Sequence, residues 1–137
     1  MTRDDRGCVL LVRQRGGPFE GAWLLPGGGL EAGESFDAAL RREILEETGL
    51  ELVSSREIAR YDVRAAGFHG EVALYGGTVS GTLRSGHPQE PAAWTDVDVR
   101  TAHPVLLREL KDAGFIDMPD DGIAGRAAAL GIAMRRM

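Results

Sequence analysis

The most informative stretch of the 137-residue chain is Gly28-Gly-Leu-Glu-Ala-Gly-Glu-Ser-Phe-Asp-Ala-Ala-Leu-Arg-Arg-Glu-Ile-Leu-Glu-Glu-Thr-Gly-Leu50. It opens on glycines, which favour a tight turn because they adopt backbone conformations that other residues avoid. The residues that follow predict a helix from Ser35 to Thr48, with Ser35 as N-cap and Gly49 just beyond the C-terminus. A glycine turn therefore leads directly into a helix.

Three acidic side chains share one face of this predicted helix. Glu43, Glu46 and Glu47 lie within an arc of about 100°. Like charges one turn apart destabilise a bare helix by about 0.2–0.5 kcal/mol per pair, so a sequence serving only solubility would intersperse them with cations. Carboxylate oxygens on a rigid element suit Mg²⁺ or Mn²⁺, which also bind phosphate oxygens. A solvated charged face is the alternative interpretation.

The spacing of the whole stretch is more specific than its charge. Five residues separate Gly28 from Glu34, and seven more lead to Arg42, which begins Arg-Glu-Ile-Leu-Glu-Glu-Thr-Gly-Leu. This pattern resembles the Nudix box at every defining position, and a weaker likeness in the flanks extends from about Val9 to Phe115. The chain therefore resembles a MutT-like Nudix hydrolase.

The resemblance implies a fold and an activity. The fold would be the Nudix-type α/β/α sandwich around a mixed β-sheet. The activity would be that of a Mg²⁺-dependent pyrophosphohydrolase, which cleaves a nucleoside diphosphate linked to another moiety such as a (deoxy)nucleoside triphosphate. Alternatives are a non-catalytic nucleotide-ligand sensor on the same scaffold, an ADP-sugar or dinucleoside polyphosphate hydrolase, and an ion-binding module without turnover.

The resemblance also implies a metal site and its support. The ligands of Mg²⁺, or of Mn²⁺ in its place, would be Glu43, Glu46, Glu47 and the backbone carbonyl of Gly27 or Gly28. Arg42 and Glu34 match positions that usually support the site. Because an arginine can hold a carboxylate with two parallel hydrogen bonds, Arg42 would fix the loop through Glu34 or orient Glu43.

A general base must reach the attacking water, and the sequence offers more than one candidate. Glu43 and Glu47 belong to the acidic face. Glu90, before Trp94, lies where many relatives carry a catalytic or metal-binding acid. The competing interpretation of Glu90 is an ordinary loop carboxylate.

Substrate contacts are predicted at three positions. Arg13, at the end of the first strand, matches a position where some relatives hold phosphate, and a solvated strand end is equally compatible. Gly28 and Gly29 would allow the backbone to approach the substrate. Phe19, Trp23 and Tyr75 could stack on a base, although aromatic residues at such positions are more often part of the core. The three histidines show no metal-ligand spacing.

Composition narrows the class of protein. The net charge of −5 argues against a nucleic-acid polymer as partner, because such a surface needs a basic patch. Cys8 is the single cysteine, which fits a reducing cytoplasm. The N-terminus lacks the apolar core of a signal peptide, and no apolar run is long enough to span a membrane.

The remaining pattern predicts one domain over residues 1–137, with several short strands and a second helix. The predicted strands are Cys8 to Val12, Trp23 to Leu25, Glu57 to Val63, Glu71 to Val79 and Ala93 to Val97, with a turn at Gly67 to Gly70. His103 to Ala113 is expected to form the second helix.

Two segments depart from the family's usual pattern. Only seven residues precede Cys8, where relatives carry another strand, so either the start is short or something else fills that place. Residues 120–137 have apolar side chains at helical spacing and predict a helical extension, with Ile123 to Met134 packed on the domain or across a homodimer. Its few cations argue against a membrane surface.

Overall fold

The computed structural model describes residues 1–84 and 91–137. In chain order the elements are β1 (Val9–Arg13), β2 (Trp23–Leu24), α1 (Phe36–Thr48), β3 (Glu51–Ala65), β4 (Phe68–Ser80), β5 (Ala92–Thr95), α2 (Pro104–Asp112), α3 (Asp120–Ala129) and β6 (Ala133–Arg136). The three helices in these residues have 13, 9 and 10 residues. None of them has the length and apolar content that crossing a membrane requires.

The strands of the described residues form two antiparallel sheets. One sheet has the order β2-β1-β5 and the other the order β4-β3-β6. The predicted α/β class is confirmed, but the strands form these two sheets rather than one mixed sheet. β3 pairs with β4 along its length and with β6 only from Tyr61 to Arg64, and none of the pairings between the described strands joins β3 or β4 to β1.

The hairpin of β3 and β4 is longer than the sequence predicted. Pairing runs from Glu51↔Ser80 to Ala65↔Phe68, and Gly67 turns the chain with φ 73°. The predicted turn at residues 67–70 is therefore confined to its beginning. The ends of both strands carry exposed polar residues and do not show the alternation of apolar and polar residues from which strands are predicted. Their backbone groups are nevertheless paired, so the strands extend further than the alternation.

Residues 1–3 lie between the two sheets. The Leu10 N–H donates to the Thr2 carbonyl at 3.2 Å, and Arg3 forms an isolated bridge with Val9. On the other side, the Gly77 N–H donates to the Met1 carbonyl at 3.0 Å. This segment thus takes the place between β1 and β4 that the short start had left open.

Helix α1 has the boundaries that the sequence predicted. The Ser35 Oγ accepts from the Ala38 N–H at 3.1 Å, and Gly49 ends the helix in the left-handed conformation with φ 73°. Ile44 then packs with Leu10 and Leu52 in a buried cluster. This contact fixes α1 on one face of β1.

The opposite face of β1 packs on the second half of the chain. Val9 and Leu11 join Leu106 and Leu110 of α2 in a larger buried cluster. Alternate residues of a strand point to opposite faces, so β1 is covered on both sides. The strand therefore lies between α1 and α2 at the centre of the molecule.

The tail corrects one prediction. Helix α3 ends at Ala129, Gly131 turns the chain with φ 72°, and β6 then pairs with β3 through Val63↔Met134. A helix reaching Met134 was therefore wrong, because the open edge of β3 offers backbone hydrogen bonds that a strand can use. Packing on the same chain is confirmed, since Ile123 is 2% exposed.

Candidate active site

The loop after β2 meets the last turns of α1. We call residues 26–29 the glycine loop. The Gly27 N–H donates to Glu47 Oε1 at 3.0 Å, and Glu47 is only 9% exposed. A buried carboxylate needs such a donor, because burying a charge without partners is costly. One of the predicted acidic residues thus ties α1 to the loop.

A second carboxylate lies directly against the loop backbone. A Cβ placed on Gly28 would come within 2.5 Å of Glu43 Oε1. A side chain at this position would displace the Glu43 carboxylate, so glycine serves the close approach here rather than an unusual φ angle. Glu43 and Glu47, one turn apart on α1, therefore both face the glycine loop.

The Arg42 side chain connects the glycine loop to the acidic face of α1. Its Nε and Nη2 donate to the two carboxylate oxygens of Glu34 at 2.9 Å each, and Nη2 also donates to the Gly29 carbonyl at 3.1 Å. Its Nη1 donates to Glu43 Oε1 at 2.8 Å. Arg42 contacts both of the partners that the sequence suggested, so one guanidinium links the loop, Glu34 and the acidic face.

This contact sets the charge of Glu34. The hydrogen bonds from Arg42, followed by the Glu31 N–H at 2.8 Å, lower the pKa of Glu34 to about 2. The same bonds raise the pKa of Arg42 above its already high usual value. The pair is consequently ionised throughout the neutral range.

Glu46 differs from its two neighbours. Its side chain is 58% exposed, and Arg42 Nη1 reaches its Oε2 only at 3.4 Å. Within residues 1–84 and 91–137, no group of three or more His, Cys, Asp or Glu side chains is arranged to hold a metal ion. The three glutamates share a face but do not converge on one point, because Glu43 turns to Arg42 and Glu47 to the Gly27 N–H.

The donor chemistry of the site nevertheless fits a hard divalent cation. Glu43 and Glu47 supply carboxylate oxygens next to the carbonyls of the glycine loop, and such oxygens are the ligands that Mg²⁺ prefers. A cation at this place would compete with Arg42 for the Glu43 carboxylate. Arg42 would still keep its two hydrogen bonds to Glu34.

Arg13 and Phe19 have their contacts in other parts of the chain. Arg13 is exposed at the end of β1, where its N–H donates to the Pro91 carbonyl at 3.0 Å. Phe19 packs edge-on against Phe68 and His103, with centroids 6.4 and 5.5 Å apart. Glu90 lies outside the described residues.

A cavity of about 730 Å³ lies on the α2 side of the sheet β2-β1-β5, and no sequence pattern indicated it. A volume of this size is typical of a small-molecule site. Its walls include Leu11, Trp23, Ala93, Thr95, Asp96, Val97, Leu106, Arg126 and Leu130. These residues come from five separate parts of the chain, and the exposure of two large apolar side chains, Trp23 at 37% and Leu130 at 59%, marks the place.

A buried polar group in α2 was also missed. Glu109 is 7% exposed, and burial raises its pKa to about 7, an increase that the nearby amino group of Met1 opposes. Nearby, the Tyr61 hydroxyl donates to Asp112 Oδ2 at 2.6 Å. Both contacts lie in the core, away from the glycine loop.

Comparison with known proteins identifies relatives of this chain by sequence and by fold. A protein of Mycobacterium tuberculosis named "Putative 8-oxo-dGTP diphosphatase 2" is 57% identical over 49 residues, which make up 34% of this chain and 35% of that protein. A Salmonella arizonae protein named "Nucleoside triphosphatase NudI" is 51% identical over 51 residues, or 36% of each chain. The match spans about a third of the length of these curated relatives.

A solved structure shows the same fold over most of the chain. The crystal structure of a MutT NUDIX hydrolase from Burkholderia pseudomallei superposes with a TM-score of 0.69 at 27% identity, covering 80% of this chain and 91% of that one. A family model described as NUDIX domain matches residues 1–115. With the box, the fold and this match in agreement, the chain belongs to the Nudix family.

Proposed function

We propose that the chain is a Mg²⁺-dependent pyrophosphohydrolase that cleaves a nucleoside diphosphate linked to another moiety. The observation that carries this proposal is the contact of Glu43 and Glu47 with the glycine loop, held by Arg42. A (deoxy)nucleoside triphosphate is the favoured substrate. The names of the two curated relatives, one a diphosphatase and the other a nucleoside triphosphatase, support that choice.

Glu43, Glu46, Glu47 and a carbonyl of the glycine loop would hold the metal. The bound metal would supply charge neutralisation on the diphosphate and a bound water of lowered pKa. Arg42 keeps Glu43 beside Gly28, and its two bonds to Glu34 fix the loop that presents the carbonyls. Gly28 and Gly29 would let the substrate approach the backbone, while Arg13 would bind a phosphate from the end of β1.

The general base is proposed among the acids that can reach the attacking water. Glu43 is the candidate inside the site, with Glu47 beside it, and Glu90 is the candidate from outside the described residues. Glu90→Gln should lower kcat by about 10²- to 10⁴-fold with unchanged metal affinity if Glu90 is the base. An unchanged kcat would move the role to the acidic face of α1.

The composition and the proposed substrate suggest a cellular compartment and a partner for the protein. We propose that it acts in the cytoplasm as one domain, with a nucleotide-type small molecule as its partner. Cys8 is a free cysteine, which suits a reducing compartment. A homodimer is the alternative assembly, and light scattering would detect it.

A nucleotide panel tests the proposal. Purified protein with Mg²⁺ should release a nucleoside monophosphate from at least one nucleoside diphosphate derivative, identified by chromatography of the products. A matched preparation with EDTA should lose that release. If nucleotides bind without being cleaved, the sensor interpretation replaces the enzyme; if metal binds and nucleotides do not, the ion-binding module does.

A further inference from the structure

The cavity on the α2 side is bordered by a loop in which Val97 and Ala102 pack partly against the larger buried cluster. Residues 96–103 connect β5 to α2 and supply several of its lining residues, among them Asp96, Val97 and Ala102. A small turn forms inside the loop, where the Ala102 N–H donates to the Asp98 carbonyl at 2.9 Å. This turn sets the local shape of the loop but does not attach it to the wall opposite.

Arg126 of α3 makes that attachment. Its Nη1 donates to the Val99 carbonyl at 2.6 Å, and its Nη2 donates to the Ala102 carbonyl at 2.6 Å and to the Arg100 carbonyl at 3.4 Å. One guanidinium thus binds three carbonyls of the same loop. Charge-assisted hydrogen bonds are roughly twice as strong as neutral ones, so this is a firm connection.

The helix that carries Arg126 is itself fixed. Ile123 and Ala127, on either side of Arg126 in the sequence, are 2% and 8% exposed and pack against the domain. Arg126 also lines the cavity directly, together with Ala129 and Leu130. The tail therefore forms one wall and holds the wall facing it.

The cavity suits the organic part of a nucleotide better than its phosphates. Its lining is mostly apolar, and Trp23 presents a flat ring on which a base could stack. The Asp96 carboxylate would repel phosphate, and both its oxygens and the Thr95 hydroxyl can accept hydrogen bonds from the amino group of a base. Trp23 is only four residues before Gly27, so their Cα atoms are at most about 14 Å apart.

From these contacts we infer that Arg126 is a positioning residue for substrate recognition, which holds residues 99–102 so that the cavity closes around the organic group of the substrate. The inference rests on the proposed function for the identity of the ligand. Arg126 lies beyond the residues 1–115 that match the family model, so this device belongs to the tail.

Kinetics of three variants test the role. Arg126→Gln should raise KM for the cleaved nucleotide about tenfold while kcat stays within about twofold. The hydrogen bonds that hold residues 99–102 at the cavity are lost, but the acidic face of α1 is unchanged. Arg126→Lys, which keeps a cationic donor, should recover part of the loss. Arg135→Gln is the matched control, since Arg135 is an exposed arginine of the same tail, and its KM should equal that of the wild type.

A fourth variant acts on the cavity without changing Arg126. Ala129→Leu adds volume at an exposed position in the cavity wall, so it should fold normally and raise KM in the same way. Tryptophan fluorescence, titrated with nucleoside monophosphates in EDTA, gives a dissociation constant that needs no turnover. It separates failure of the inference from failure of the proposed activity.

Binding by these variants decides the role of Arg126. Weaker binding in Arg126→Gln and Ala129→Leu supports the inference even if the wild type cleaves nothing. Wild-type KM and dissociation constant in a folded Arg126→Gln would overturn it, as would an equal loss in Arg135→Gln. If Arg126→Gln does not fold, Ala129→Leu decides, and unchanged binding in that variant overturns the inference.

Discussion

Two regions of this molecule are held together by different forces. In the loop–helix, residues 26–50, Ile44 packs α1 on the sheet, and charged hydrogen bonds attach the preceding loop to the helix: Arg42 to Glu34 at 2.9 Å and the Gly27 N–H to Glu47 at 3.0 Å. The C-terminal segment, residues 104–136, is fixed by buried apolar side chains such as Leu110 and Ile123 and by pairing of β6 with β3.

The difference separates two roles. The loop–helix places Glu43, Glu46 and Glu47 on one face of α1, where like charges one turn apart cost stability and, in the proposed function, would hold a metal ion. The C-terminal segment buries apolar surface, which contributes roughly 25 cal/mol per Å². Substitutions in the first region should therefore change turnover more than stability, and substitutions in the second should do the reverse.

The largest effect on stability should come from the tail. Ile123→Ala should reduce the free energy of unfolding by about 2–5 kcal/mol, because it leaves a cavity in the core. Deleting residues 120–137 should lower the melting temperature further or change the mass per particle in light scattering. Met137→Ala is the control: Met137 is 65% exposed, and the free energy of unfolding should change by no more than about 0.5 kcal/mol. An unchanged melting temperature after the deletion would show that the tail is dispensable.

The largest effect on turnover should come from the acidic face. Glu46→Gln and Glu47→Gln should each reduce kcat at least about a hundredfold, as expected when a metal that stabilises the transition state is lost. Folding should survive, because in Glu47→Gln the amide oxygen of the new side chain can still accept from the Gly27 N–H. The measurement is kcat at saturating Mg²⁺ together with the melting temperature. Near-wild-type rates in both variants would contradict the metal site.

A smaller effect is expected from the glycine loop itself. Gly28→Ala would push the Glu43 carboxylate away, since a Cβ there lies 2.5 Å from Glu43 Oε1. We expect kcat to fall about tenfold with little change in melting temperature, because the end of a flexible side chain can move. A Cβ on Gly29 would have no atom within 4 Å, so the decrease in kcat of Gly29→Ala should be several-fold smaller than that of Gly28→Ala. Equal losses would assign the effect to the loop backbone rather than to Glu43.

The smallest effect should be a pH dependence of stability in α2. Burial raises the pKa of Glu109 to about 7 in the folded protein, against an ordinary value of 4.5. The unfolded chain therefore ionises Glu109 first, and stability should fall as pH rises from about 4.5 to 7. Glu34, with its pKa lowered to about 2 from an ordinary 4.5, contributes stability at neutral pH that should be lost as pH falls from about 4.5 to 2.

Chemical unfolding of wild type and Glu109→Gln across this pH range checks the prediction. The difference between the two proteins reports the ionisation of Glu109 together with its coupling to the Met1 amino group, whose pKa burial lowers to about 6, an effect that Glu109 opposes. The wild type should lose stability relative to the variant as pH rises. A constant difference between about pH 4.5 and 7.5 would show that Glu109 keeps its ordinary pKa.

The sequence was most informative where contacts are local. The N-cap at Ser35, the stop at Gly49 and the shared face of Glu43 and Glu47 depend on residues at most a few turns apart, so helical periodicity was enough to predict them. The partnership of Arg42 with Glu34 spans only eight residues and follows from the spacing of the box.

Sequence was thus sufficient for the family and for helix α1, while its assignment of metal ligands stays a prediction. Other features emerge only in the folded chain: residues 133–136 form a strand on β3, Met1 and Thr2 lie between the sheets, and Arg126 binds a loop more than twenty residues away. These contacts join residues distant in the chain, and which of them form depends on the backbone edges and apolar surfaces that folding leaves open. A local sequence pattern does not show which of these distant contacts will form.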